Sequence, residues 1–300
     1  MTLKVKQLTR PFNSAKQALW FLSCLFFSAA LHAQSSIIIF SPPGDKLAAR
    51  TAGDVIALLA ERNVSSSFAN GIDDLNALLN GESRVLAIGN RACDEVVFQG
   101  VEVEVLCGLI NHYFQPGDIG LTNVDYMPLE VPATQYFKLA KLMVPEAETV
   151  GVLLGPESHH RERFYSALAR AAGMDTEFSL LTLSSNPVTS LDPAMRKSQV
   201  FMVLPDAADF NRAVAPWVLQ LSLRYRMPLL GYSFNYANAG AIASLFQSRE
   251  DLAANLVNRL FDPNSIMQFS IRLNYSVAQN LGIELLSEQE YLDLLSGEQP

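Results

Sequence analysis

Short apolar, β-branched runs alternate with helical stretches along most of this chain, and that alternation limits its architecture more than any other feature. Ser36 to Phe40 (SIIIF), Thr149 to Leu154 (TVGVLL) and Val200 to Leu204 (VFMVL) lack the polar alternation of a half-exposed strand. Such runs suit strands buried on both faces. Between them lie stretches with helical periodicity. Asp45 to Arg62 places Leu47, Val55, Leu58 and Leu59 on one side, and Asp45 is suited to cap its free amides. Further helices are expected over Ser158 to Ala172, stopped by Gly173, and over Asp209 to Tyr225 and Glu250 to Phe261. Strands separated by helices of this length imply parallel sheets covered on both faces.

The alternating pattern occurs twice. Strands are expected at 36–40, 64–69, 84–88 and 101–110, and again at 149–154, 176–183, 200–204, 228–230 and 241–245, with an edge strand at 269–274. Between the two sets, Asn111 to Pro132 carries Pro116, Gly117, Gly120, Pro128 and Pro132, a density that argues against regular helix. It reads as an irregular crossing. The expected organisation is one lobe from 34–112 plus about 246–264, a crossing or hinge at 113–132, and a second lobe from 133–245 plus about 265–300.

The first 33 residues have a different character. Lys4, Lys6, Arg10 and Lys16 precede an apolar core from Gln17 to Leu31, and Ser28, Ala29, Ala30 and Ala33 close it. A basic start, a short apolar core and a small-residue exit describe a secretory signal peptide, cleaved after Ala33 or, alternatively, after Ala30. The core of about fifteen residues is short for a bilayer span, which needs roughly twenty. An uncleaved anchor and lipidation at Cys24 are the other readings of this segment. The expectation is an exported, periplasmic, monomeric protein.

Removing the leader leaves 18 basic residues against 30 acidic ones, a formal charge of −12. So acidic a chain is a poor match for nucleic acid, whose binding rests on phosphate neutralisation. No basic run is present that would draw it to anionic lipid. Cys93 and Cys107 remain after cleavage. Export would permit a disulfide between them, and two buried thiols are equally compatible with the sequence.

In open α/β sheets, ligands lie beyond the carboxyl ends of the strands. Candidate binding residues therefore sit where strands break: Ser41, Asn90, Arg91, Asn111, Ser158, Asp206, Tyr232 and Ser233. Ser158, at a helix start, could offer its hydroxyl and backbone amides to a carboxylate, or simply cap the helix. Arg91 could pair with a carboxylate in two-pronged fashion or lie exposed. Tyr232 and Phe234 could stack on a flat ligand or belong to the core. His159 and Glu162 fall three apart, but two ligands do not make a metal site. There is no Gly-x-Ser-x-Gly elbow, phosphate-cradling glycine loop or zinc-peptidase histidine pair. No catalytic residue, metal or cofactor is expected.

Several segments together resemble a known family. They are YFKLAKLMVPEAETVGVLL (136–154), VFMVLPD (200–206), MPLLGYS (227–233), GAIAS (240–244) and IRLNYSVAQNLGIEL (271–285). Their order resembles ABC transporter substrate-binding proteins related to tryptophan- and tyrosine-binding periplasmic proteins, over roughly residues 133–290. The resemblance implies a type I periplasmic binding fold, with two Rossmann-like α/β lobes joined by hinge crossings. It implies a small ligand between the lobes, with Asp206 meeting a ligand amine or hydroxyl, and a membrane permease with its ATPase as partner; from the residues alone, Asp206 is as well suited to cap the next helix. Residues 36–110 resemble the family less, since Pro42-Pro43-Gly44 follows the opening strand. A sensory or accessory binder serving a receptor kinase or outer-membrane receptor is the alternative, and an exported enzyme on this scaffold a third.

Overall fold

The computed structural model describes residues 36–111, 122–182, 184–206 and 208–297. The expected leader and the first part of the 113–132 crossing lie outside the described residues. Two sheets organise residues 36–297. Sheet A has five strands in the order β2-β1-β3-β4-β5. These are β1 (Ile37–Phe40), β2 (Ser66–Ala69), β3 (Arg84–Ile88), β4 (Glu104–Ile110) and β5 (Val124–Pro128), all paired in parallel. Sheet B has the order β11-β10-β9-β8-β6-β7. Its strands are β6 (Thr149–Leu154), β7 (Asp175–Leu180), β8 (Val200–Val203), β9 (Leu229–Gly231), β10 (Ala243–Phe246) and β11 (Ser270–Leu273). Only β11 runs antiparallel, against β10.

Burial explains why the apolar runs became central strands. In β1, Ile37 and Ile39 enter one core with the helices Lys46–Glu61 and Arg249–Phe261, while Ile38 and Phe40 enter another with the helices Ile72–Leu78 and Asn90–Gln99. In β6, Val150, Val152 and Leu154 face one core and Leu153 the other. Beyond Thr149 at the start of β6, the side chains of these strands are buried whichever way they point, so no polar alternation survives. The helix Arg249–Phe261 follows β10 of sheet B yet packs on sheet A through Leu252, Leu256 and Val257. Asp45 caps the helix Lys46–Glu61, accepting from the Leu47 and Ala48 amides at 2.9 and 3.0 Å.

Three elements depart from the sequence reading. The stretch expected to be irregular contains β5, and Pro128 is tolerated there because it ends an edge strand. The helix Pro187–Lys197 begins with proline at its first turn, capped by the Asn186 side chain, where a missing N–H costs nothing. A short helix, Phe234–Ala239, follows β9. Among the described residues, no helix is long and apolar enough to cross a membrane.

Candidate functional site

Each sheet follows its first strand with a helix on one face and its third with a helix on the other, which opens a crevice at the carboxyl end between those two strands. In sheet B the loops after β6 and β8 meet there. The Asp206 carboxylate accepts the amides of Gly155 (3.0 Å), Ser158 (3.1 Å) and Glu157 (3.2 Å), and the Ser158 hydroxyl donates to the same group. The Gly155 amide also donates to Ser158 Oγ at 2.9 Å. A β-carbon at Gly155 would lie 2.4 Å from a Phe210 ring carbon and 2.6 Å from Asp206 Cγ, so only glycine lets the loops approach.

This arrangement corrects one expectation and reframes another. Ser158 is buried, and both its amide and its hydroxyl are already donated to Asp206, so neither is held out to a ligand carboxylate. Asp206 lines the cleft, but its carboxylate holds the neighbouring loop together. The side chain that this loop presents to the cleft is Glu157. Burial, and secondarily the Asp206 charge, raise its carboxyl above the usual range.

The cleft itself has a volume of about 820 Å³ and lies where the carboxyl ends of sheet B's strands meet the chain crossings between the sheets. Its wall is aromatic. Tyr232 and Tyr236 pack at 5.2 Å between ring centroids, and Phe234 meets Phe246 edge-on at 5.9 Å. Phe234 is 46 % exposed, leaving much of its surface uncovered. Burial, then the Asp206 charge, pushes the Tyr232 phenol up to about 12, and burial raises Tyr236 further. Both rings therefore stay neutral across the physiological range. Tyr136, 1 % exposed, also lines the cleft and donates its hydroxyl to the Leu245 carbonyl at 2.9 Å.

Of the residues expected at the site, Asn111, Asp206, Tyr232 and Ser233 line this cleft. Asn111 reaches it from a bulge in β4, where the register shifts between Gly108 and Ile110 and Leu109 takes φ 56°. Asn90 sits behind it and accepts the Asn111 amide at 3.2 Å. Ser41 is buried and does not line the cleft. Arg91 turns away: its guanidinium binds Glu95 at 2.8 Å and the Pro43 carbonyl at 3.3 Å, and it lines a separate groove beside Phe98. Residues four apart on a helix are neighbours on its surface, which places Glu95 within reach of Arg91. Cys93 and Cys107 form a disulfide, with Cα atoms 5.3 Å apart. Glu130, Arg212, Phe246 and Gln247 also line the cleft, and the sequence reading did not single them out. Glu130 and Gln247 each follow closely on a strand end, after β5 and β10. Among the described residues, no group of three histidine, cysteine or acidic side chains could hold a metal ion.

Two parallel-sheet lobes, crossed by the chain and flanking a cleft at their strand ends, define the type I periplasmic binding fold. Solved structures share it. A ligand-free, open substrate-binding protein with adhesive properties from Clostridium difficile superposes with a TM-score of 0.62 at 17% identity, covering 85% of this chain and 97% of its own. An ABC domain from Streptococcus pneumonia in complex with L-Trp gives 0.54 at 17% identity, over 85% and 97%. A conserved domain protein from Vibrio cholerae gives 0.53 at 14% identity, over 85% and 96%. No family model and no curated protein matches the sequence.

Proposed function

We propose that this chain is an exported solute-binding protein that captures a small organic molecule bearing a flat ring and delivers it to an ABC-type membrane importer. The observation that carries this reading is the aromatic-walled cleft of about 820 Å³ at the sheet ends. A volume of that size suits a small molecule. The ring would lie against Phe234 and Tyr232, with Glu157 beside it as a partner for a positive or hydroxyl group. Contact with residues of both lobes would make affinity differ between open and closed forms, and that difference is what drives closure. The protein would act as a periplasmic monomer without catalytic chemistry.

The alternative partner is a receptor kinase or outer-membrane receptor. The feature that favours it is Phe98, 90 % exposed on the sheet A lobe beside Pro42 and Pro43, where the sequence departs from the family.

The test is a thermal-shift and calorimetry screen of residues 34–300 with amino acids, arylalkylamines and nucleobases. A ligand at a hundred times its Kd should stabilise by about 2.7 kcal/mol. Phe234→Ala should abolish that shift while leaving the unliganded melting temperature nearly unchanged. No shift with any compound, in protein shown to be folded, would overturn the reading.

A further inference from the structure

The chain passes between the two sheets three times: at 129–132 after β5, at 247–248 after β10, and at 262–269 before β11. One polar cluster touches all three. Gln247 Nε2 donates to the Leu129 carbonyl at 2.7 Å and to the Pro128 carbonyl at 3.2 Å, which ties the second crossing to the first. Gln247 Oε1 accepts from Asn255 Nδ2 at 2.7 Å. That same Nδ2 donates to the Gln268 carbonyl at 2.7 Å, and the Gln268 amide donates to Asn255 Oδ1 at 2.8 Å, which ties in the third. Asp251 adds a second link. It closes the capping box with Ser248 and accepts the Ser270 hydroxyl at 2.6 Å.

The chemistry of Asn255 is unusual for its place. It is 3 % exposed, on the helix face that otherwise buries Leu252, Leu256 and Val257 against sheet A. A buried amide costs free energy unless its donors and acceptors are matched. Here both amide hydrogens and the oxygen are matched, and every partner belongs to a crossing rather than to the helix's own lobe. Gln247 is a cleft-lining residue whose two amide hydrogens are both committed, so it has no donor left for a ligand.

We infer that Gln247 and Asn255 are positioning residues that hold the three crossings in one fixed arrangement, so that the lobes swing about the residues flanking this cluster rather than within it. The consequence for ligand capture rests on the binding role proposed above; the hinge geometry does not. With the cluster intact, the unliganded lobes sample a narrow range of openings, and less order has to be imposed when a ligand closes them.

The experiment uses unliganded protein, so its outcome is separate from whether any ligand is found. Gln247→Met and Asn255→Leu keep side-chain volume and remove the bonds. Small-angle scattering should show the interlobe separation broadened by more than about 2 Å relative to wild type, as in other hinge rearrangements. Hydrogen exchange at the Gln268 amide should accelerate about tenfold in Asn255→Leu. Circular dichroism should show both variants folded. If the apolar variants fail to fold, Gln247→Glu, which keeps the acceptor for Asn255 and loses the donors to Pro128 and Leu129, is read in the same way. Scattering profiles indistinguishable from wild type in the folded variants would overturn the proposal.

Discussion

The two lobes carry the same strand order through their first five strands, yet they secure the loops at their crevices by different means. In the sheet B lobe, one carboxylate, Asp206, gathers the amides of Gly155, Glu157 and Ser158 from across the crevice. Among the described residues of the sheet A lobe, no such carboxylate bridges the loops after β1 and β3. Asp45 serves its own helix, and the disulfide Cys93–Cys107 fastens the helix Asn90–Gln99 to β4. That bond steadies the two segments that carry Asn90 and Asn111 towards the cleft. One topological problem thus has an electrostatic solution on one side and a covalent one on the other, and each should fail under its own perturbation.

The largest effect should come from removing the electrostatic one. Asp206→Ala leaves the Glu157 and Ser158 amides and the Ser158 hydroxyl without their acceptor, while the Gly155 amide keeps Ser158 Oγ as a partner. At about 1–3 kcal/mol for each unmatched buried donor, the loss should reach at least about 3 kcal/mol. Asp206→Asn keeps one acceptor oxygen and should lose less. Urea unfolding followed by Trp217 fluorescence is the appropriate measurement, because Trp217 is the only tryptophan after residue 33 and lies in the helix Ala208–Tyr225 of this lobe. A loss below about 1 kcal/mol would mean that packing of Phe210 against Gly155, not the carboxylate, holds the loops.

The covalent device should show a somewhat smaller and spatially opposite effect. The half-cystines are separated by 14 residues, and a loop of that length is worth about 3 kcal/mol in the chain-entropy model. The double variant Cys93→Ala/Cys107→Ala should lower the far-UV circular dichroism midpoint by about that amount, partly offset by relief of constraint elsewhere. The Trp217 transition should move less, since that residue belongs to the other lobe. Equal shifts in both signals would show that the crossings couple the lobes into one cooperative unit.

These contrasts also indicate what the sequence could reveal. SIIIF, TVGVLL and VFMVL were legible as strands because burial on both faces removes polar residues from all but their first positions. β5 was not, because Asp125 and Pro128 interrupt its pattern on a partly exposed edge. The helix Pro187–Lys197 was hidden by Pro187 and Pro193, which resemble breaks. Of the residues lining the cleft, Asn111, Tyr232 and Ser233 were legible from strand ends alone. Ser158 was misread because its partner, Asp206, lies 48 residues away, and nothing local to Ser158 signals it. Gln247 was missed for the same reason: its partners Leu129 and Asn255 come together only when all three crossings are assembled.

The smallest predicted effect tests one of the charge pairs that fasten the sheet A lobe, beside Arg84–Glu104 and Arg259–Asp125. Arg249 and Asp54 join the two helices that cover one face of that sheet, and the pair is partly exposed, at 57 % and 26 % of the side chains. The hydrogen bond from Arg249 lowers the Asp54 carboxyl below its ordinary 3.8, against a smaller opposing effect of burial. A carboxyl held low in the folded state stabilises fully above its unfolded value, and that contribution disappears as pH falls through the folded one. Asp54→Asn should therefore cost stability at pH 7, and the cost should shrink at pH 2, as the pH approaches the lowered folded-state value of the wild-type carboxyl. Solvent screening keeps the difference below about 1 kcal/mol. Chemical denaturation of both proteins at the two pH values measures it. A deficit that persists unchanged in acid would assign the effect to side-chain packing between the helices rather than to the ion pair.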